Sequence, residues 1–149
     1  MYDFILAVHN ILRWVILILA IVALVRAYWG WFGKRDWTAT DRKVGSFYSI
    51  SLDVQLLLGL VLYFALSPIV SKNLSNFMTL LADQMFRFFA LEHTLIMVIA
   101  IILAHVGAAT SRRAVENTIK HRRAAIWFTL SFIAILLGMP WFRPLLPGF

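Results

Sequence analysis

Four apolar stretches constrain this chain to an all-helical membrane fold. Three of them exceed the roughly 20 residues that a helix needs to cross a bilayer, and the fourth is shorter and ends before Pro140. Lipid offers the backbone no hydrogen-bond partners, which favours helices. The composition agrees, because 62% of the residues are hydrophobic and 14% are charged. The sequence predicts an integral membrane four-helix bundle with spans at residues 4–27, 45–66, 87–109 and 124–139.

The connections between the spans are too short to hold a second domain, so residues 1–149 are expected to form one domain. The longest connection, residues 68–85, is mostly apolar with scattered polar positions, a pattern typical of a helix lying in the outer membrane interface. Such a segment could cover a cofactor or contact a partner subunit. The chain has no cysteine, no Gly-rich phosphate loop and no His-Glu-x-x-His motif, which disfavours thiolate-metal, nucleotide and hydrolytic chemistry.

The basic residues predict the orientation of the bundle. Most of the 14 Lys and Arg residues lie in the first and third connections, and basic residues near span ends stay on the cytoplasmic side. We therefore expect both termini on the outer, periplasmic side of a bacterial inner membrane. The net charge of +7 is mainly an orientation signal. A nucleic-acid partner is disfavoured because these residues flank spans and form no basic face with stacking aromatics.

Two histidines lie at matching depth. From a rise of about 1.5 Å per residue, His9 lies roughly 8 Å below the outer end of the first span, and His93 roughly 9 Å below that of the third. Ionisable side chains in hydrocarbon usually have a partner or a function, and imidazole commonly binds haem iron. The pattern predicts a haem b whose iron is bonded to His9 and His93. The alternative is two neutral imidazoles that are hydrogen-bonded within the bundle.

Two further histidines lie on the inner side. His105 is near the inner end of the third span, and His121 precedes the fourth in Lys-His-Arg-Arg. A rotation of roughly 120° separates His93 from His105, so these side chains face different neighbours. One haem is expected, and a second one held by His105 and His121 is the alternative. For His121 the competing interpretation is a side chain that contacts solvent or lipid headgroups.

Three charges at membrane depth need partners. Arg13 lies one turn below His9 on the same face, and Asp53 lies midway through the second span. We expect these two to form an ion pair, because a buried arginine without a partner is costly. The alternatives are that Arg13 binds a haem propionate or that Asp53 belongs to a proton path. Glu92 points away from His93 and could accept a hydrogen bond only from a group on another helix; the alternatives are a pairing with Arg87 or a protonated, neutral state in lipid.

A stripe on the second span is predicted to face the interior. Gln55, Gly59 and Tyr63 recur at four-residue spacing, and small and polar residues on one face are typical of helix contacts in membranes. Gly59 could also leave space for a flat porphyrin. Met97, four residues after His93, could replace a histidine as an iron ligand, although a methionine in an apolar span usually packs.

Short motifs give the chain a resemblance to small bacterial four-span membrane proteins of the "cytochrome b" kind and, more loosely, to cytochrome b561-like bundles. The motifs are His9-Asn-Ile-Leu-Arg13-Trp, Leu52-Asp-Val-Gln-Leu-Leu-Leu-Gly, Glu92-His93, Ala104-His105-Val-Gly and Lys120-His121-Arg-Arg. The resemblance implies a b-type haem protein with His9, His93, His105 and His121 as candidate ligands. The chain has fewer spans than b561 proteins and no ascorbate or quinone motif, so the resemblance identifies no electron donor or acceptor.

These features predict a membrane-embedded haem b electron carrier, or a subunit of a redox complex, rather than a stand-alone enzyme. Its partners would be membrane lipid and a quinol or another cytochrome. The alternative is a haem-free accessory or assembly subunit of a larger respiratory or photosynthetic complex. Ion or metal transport through Asp53, Glu92 and the histidines is a third interpretation, which four spans disfavour because they leave little room for alternating access.

Overall fold

Residues 1–143 contain four long helices, joined by two short connections and a longer one between the second and third helices. The computed structural model describes residues 1–143, apart from the side chains of Leu74 and Thr79. The helices are α1 (Tyr2–Phe32), α2 (Ala39–Leu66), α3 (Gln84–Arg113) and α4 (Asn117–Gly138). The all-helical prediction is confirmed, and no strand occurs in the described part of the chain.

Helices α1, α2 and α3 are long and apolar enough to cross a membrane. Their outward faces carry exposed isoleucine, valine, leucine and phenylalanine side chains, which suits contact with lipid tails. The chain is therefore a multi-pass membrane protein. Helix α4 differs because its first two turns carry Lys120, Arg122 and Arg123, so that its apolar part begins only at Ala124.

The helices pack in a ring. Helix α1 contacts α2 and α4, and α3 contacts the same two helices, so α1 and α3 face each other diagonally across the interior. Small side chains line these contacts, and the buried alanines include Ala20, Ala23, Ala27, Ala100, Ala104, Ala108, Ala124 and Ala125. Because alanine lets backbones approach closely, it supports the van der Waals packing that holds membrane helices together.

Buried hydroxyl groups link the helices across the middle of the bundle. The Ser131 hydroxyl on α4 donates to the Ala100 carbonyl on α3 at 2.7 Å. Tyr48 on α2 is fully buried, and its hydroxyl lies 2.7 Å from Ser131 Oγ. Since the Ser131 proton is already engaged, Tyr48 donates to Ser131. This chain of bonds connects α2, α4 and α3 at one level.

A capping box begins α2. Asp41 Oδ2 accepts from the Thr38 backbone N–H at 2.8 Å, and Thr38 Oγ1 accepts in return from the Asp41 backbone N–H, which satisfies free donors of the first turn. Asp41 Oδ1 also accepts from Arg26 Nε at 2.8 Å. The cap therefore ties the start of α2 to α1.

The connection between α2 and α3 is helical in short pieces rather than as one interfacial helix over residues 68–85. It contains a 3-10 helix (Ser71–Asn76) and a single α-helical turn (Phe77–Leu80). Side-chain caps at Ser67 and Asp83 separate this connection from α2 and α3. The Ser67 hydroxyl accepts from two backbone N–H groups of the turn that follows, and Asp83 caps α3 by accepting from the Phe86 N–H at 2.7 Å.

Gly30, near the end of α1, packs against the ring of His121, which is 2% exposed. A methyl group added at Gly30 would overlap the imidazole. We expect Gly30→Ala to destabilise the fold by about 1–3 kcal/mol, as overpacking of a dense core does, and to lower the thermal unfolding temperature of the purified protein. In the His121→Ala background the same substitution should cost little. An equal loss of stability in both backgrounds would contradict the contact between Gly30 and His121.

Candidate cofactor site

A cavity of about 420 Å³ lies at the end of the bundle where α1 begins and α4 ends. This volume falls within the range of about 300–1,000 Å³ that small-molecule and cofactor sites occupy. All four helices contribute to its wall, with His9 and Arg13 from α1, Gln55, Gly59 and Tyr63 from α2, Phe89, His93 and Met97 from α3, and Ile135 from α4. The wall is therefore mostly apolar with a few polar groups that converge.

The structure brings His9 and His93 together at this cavity. Because α1 and α3 are the diagonal pair of helices, the two imidazoles approach the interior from opposite sides. Arg13 lines the same cavity. The two histidines that the sequence places at matching depth therefore line the same cavity.

The orientation of His93 is fixed by the end of α4. His93 Nδ1 lies 2.7 Å from the Gly138 carbonyl oxygen. A carbonyl can only accept, so Nδ1 donates its proton and Nε2 keeps a free lone pair. The Gly138 carbonyl is available because α4 ends at this residue, and the last carbonyls of a helix have no partner inside it. His93 can therefore act as a ligand through Nε2.

A π-helical turn (Phe88–Glu92) directly precedes His93. The His93 backbone N–H donates to the Phe88 carbonyl, and the Thr94 hydroxyl donates to the Phe89 carbonyl at 3.0 Å. Such turns are rare within α-helices and often accompany functional sites. Here the turn sets the rotation at which α3 presents His93.

His9 is held against α2. The Gln55 side chain donates to the His9 carbonyl oxygen at 2.9 Å. A Cβ atom at Gly59 would lie 3.6 Å from His9 Cε1, so the ring sits beside a residue without a side chain. His9 Nδ1 is buried and has no hydrogen-bond partner among the described residues. Because buried polar atoms are nearly always paired, the described residues leave the hydrogen bonding of the His9 ring incomplete.

Arg13 lies in the cavity wall and does not pair with Asp53. Its side chain is buried, with 8% exposed, and its guanidinium lies 5.7 Å from the centre of the Trp14 ring. Asp53 Oδ1 instead bonds to His105 Nε2 at 2.8 Å. The expected Arg13–Asp53 pair is wrong because matching depth does not fix rotation. Arg13 faces the interior, whereas Asp53 faces outward beside the buried Leu52.

The structure does not bring His105 and His121 together. His105 is about half exposed and bonds to Asp53 on the outer seam of α2 and α3. His121 is buried between Gly30 and Trp37, with its ring centre 4.8 Å from that of Trp37. Its Nε2 lies 3.4 Å from the Asp36 carbonyl oxygen. The solvated or headgroup-contacting interpretation of His121 is therefore wrong, because the α1–α2 connection covers it.

Other predicted features lie where the sequence suggested. The stripe Gln55, Gly59 and Tyr63 faces the interior and lines the cavity. Glu92 pairs with Arg87, one of the two predicted alternatives, with 2.7 Å between Nε and Oε1. This ion pair lies outside the cavity and its side chains are 44% exposed, so Glu92 is not in contact with a ligand there.

Polar residues that the sequence patterns did not predict complete the cavity wall. They include Tyr2, Asn10, Ser67 and Thr94, all of which line it. A signal for two of them was present, since Asn10 and Thr94 directly follow His9 and His93 within apolar spans. The others belong to the helix ends, where polar residues are common and carry no such signal.

A haem held by two histidines fits this site. It requires imidazoles that reach the same cavity, a ring nitrogen on each that makes no bond to the protein, and apolar walls. Among the described residues, His9, His93 and the cavity wall provide these. No group of three or more His, Asp or Glu side chains suited to a metal ion forms among residues 1–143. A porphyrin supplies the other ligands of its iron, so two side chains are sufficient.

Comparison with known proteins gives no match: no protein family, no curated protein and no solved structure matches this chain.

Proposed function

We propose that this protein is a membrane-embedded haem b electron carrier in which His9 and His93 bind the iron. The observation that carries the proposal is the cavity itself, into which helices on opposite sides of the bundle each place an imidazole. When bound, the haem supplies one-electron transfer. The protein would pass electrons within or across a bacterial inner membrane to partners in the lipid or at its surface.

The hydrogen bond between His93 and Gly138 supports this assignment. Histidines that bind metals usually donate their other ring N–H to a carbonyl or carboxylate, which fixes the tautomer and raises the basicity of the ligating nitrogen. His93 Nδ1 makes such a bond to a backbone oxygen at 2.7 Å. The bond also prevents the ring from turning away from the cavity.

Arg13 would tune the site. It places a buried positive charge in the same wall as both histidines, and a nearby cation stabilises the electron-rich form of a redox group. A haem carboxylate within reach would offer the arginine a bidentate partner. The apolar residues of the wall, such as Leu56 and Ile101, would exclude water.

A single haem per chain agrees best with the positions of the four histidines. His105 is engaged by Asp53 on the outer surface, and His121 is enclosed by Gly30 and Trp37. Because His105 and His121 have separate partners and neither lines the cavity, one haem would be bound, at the end of the bundle opposite the basic connections. By the tendency of basic loops to remain inside, this end would face the periplasm, with α4 as a fourth span.

The proposal is tested by a dithionite-reduced minus oxidised absorption spectrum of the purified protein, followed by a pyridine haemochrome assay. We expect the bands of haem b at one haem per chain. Two haems per chain would contradict the single site and would require ligands besides His9 and His93. A flat spectrum from helical, monodisperse protein expressed with ample haem would contradict the proposal and favour a haem-free accessory subunit.

A further inference from the structure

A polar pair lies on the outer seam between α2 and α3. His105 Nε2 and Asp53 Oδ1 are 2.8 Å apart, and the two side chains are 49% and 46% exposed. By helical rise, Asp53 lies about 20 Å from either end of α2, and His105 about 12 Å from the basic end of α3. The pair is therefore within the spanning part of both helices and not at a membrane surface.

This exposure is unfavourable in lipid. Ionisable side chains at membrane depth almost always face the bundle interior or a water-filled cavity. This pair faces outward among exposed apolar side chains, including Ile50, Val54 and Ile102. The structure gives it one hydrogen bond, between Nε2 and Oδ1. Nδ1 of His105 and Oδ2 of Asp53 have no hydrogen-bond partner among residues 1–143, which favours a covering molecule that supplies one.

We propose that the covering molecule is a second copy of this chain and that the seam of α2 and α3 is a homodimer interface. The pair is self-complementary. An imidazolium–carboxylate pair carries a donor at Nδ1–H and an acceptor at Oδ2. A twofold axis brings the donor of each copy to the acceptor of the other. Hydrogen bonds of this kind between helices hold membrane proteins together.

The surroundings of the pair suit the same interface. Ile50 lies one turn before Asp53, and Ile102 lies one turn before His105, with 54% and 56% of these side chains exposed. Around a twofold axis, each isoleucine would pack near its copy and exclude lipid from the polar centre. A partner of another sequence would have to supply both a donor and an acceptor at this depth, whereas a second copy already carries them.

The test uses the absence of cysteine from the chain. Single variants Ile50→Cys and Ile102→Cys place a thiol in the proposed interface. Ile18→Cys, at a position on α1 that is 60% exposed, is the matched control. In native membranes, a short bismaleimide cross-linker should convert the first two into covalent homodimers and leave the third monomeric. Equal cross-linking at all three positions, none at either interface position, or products with another protein would overturn the proposal.

A second variant tests the polar pair itself. Asp53→Leu combined with His105→Leu, in the Ile50→Cys background, removes both groups without leaving either one alone in lipid. We expect the dimer dissociation constant in detergent to rise about tenfold, the size expected for losing two interhelical hydrogen bonds. Circular dichroism will verify that the variant is helical. An unchanged dissociation constant in a helical variant would show that the pair does not join two copies.

Discussion

Replacing His93 with alanine is expected to abolish haem binding while leaving the helices intact. The substitution removes Nε2, the proposed iron ligand, together with the Nδ1 bond to the Gly138 carbonyl. That bond contributes only about 1 kcal/mol to stability, so the bundle should still fold. His9→Ala should have the same effect, because it removes the proposed ligand on the opposite wall and leaves the iron with one imidazole. The measurement is haem content per chain after purification in matched detergent.

His105→Ala is the matched control for these two variants. It also removes an imidazole from α3, but from the outer seam, where the ring bonds to Asp53. It should retain a full complement of haem. Loss of haem from the control to the same extent as from His93→Ala would mean that the cavity is not the binding site. Retention of haem by both His9→Ala and His93→Ala would mean the same.

Filling the space at Gly59 is expected to exclude the haem while both proposed ligands, His9 and His93, stay in the chain. Gly59 lines the cavity, and a Cβ atom there would lie 3.6 Å from His9 Cε1, an ordinary van der Waals distance. Gly59→Ala should therefore bind haem and gain up to about 1 kcal/mol of helix stability. Gly59→Phe places a ring in the cavity, and we expect its haem content to fall by most of the native value. Circular dichroism and haem content check both variants.

The informative quantity is the difference in haem content between Gly59→Ala and Gly59→Phe. Both remove the glycine, so a difference between them reports the space beside His9 and not the flexibility of the backbone. If Gly59→Phe binds as much haem as Gly59→Ala, the ligand does not occupy this part of the cavity. If neither variant is helical, the position has a packing role that the geometry does not indicate.

Much of the fold follows from hydropathy. The three longest apolar stretches became α1, α2 and α3, and each helix extends past its stretch at the basic end. Hydropathy could not place these ends, because charged residues and caps such as Thr38 and Asp41 decide where a helix starts. It also could not show that Ser67 and Asp83 divide the connection between α2 and α3, since capping depends on local backbone geometry.

The prediction of the candidate site succeeded where the depth of a residue in the membrane was sufficient. It failed where the rotation of a helix about its axis mattered. His9 and His93 were matched by depth, and the bundle places them on one cavity. Arg13 and Asp53 were also matched by depth, yet they face different directions. The bond between His105 and Asp53 did not follow from the depth estimate, because His105 lies about 12 Å from the basic end of α3 whereas Asp53 lies about 20 Å from that of α2. A single sequence gives depth to within a turn but does not reveal which helices are neighbours.

The central claim, that two imidazoles hold one haem, is tested most directly by low-temperature electron paramagnetic resonance of the oxidised protein. Two histidine ligands predict a low-spin ferric signal of a bis-imidazole haem, with no high-spin fraction in the native chain. A predominantly high-spin signal would show that one axial position is open, which would contradict ligation by both His9 and His93. A signature of histidine and methionine ligation would contradict it as well and would point to Met97, which lines the same cavity.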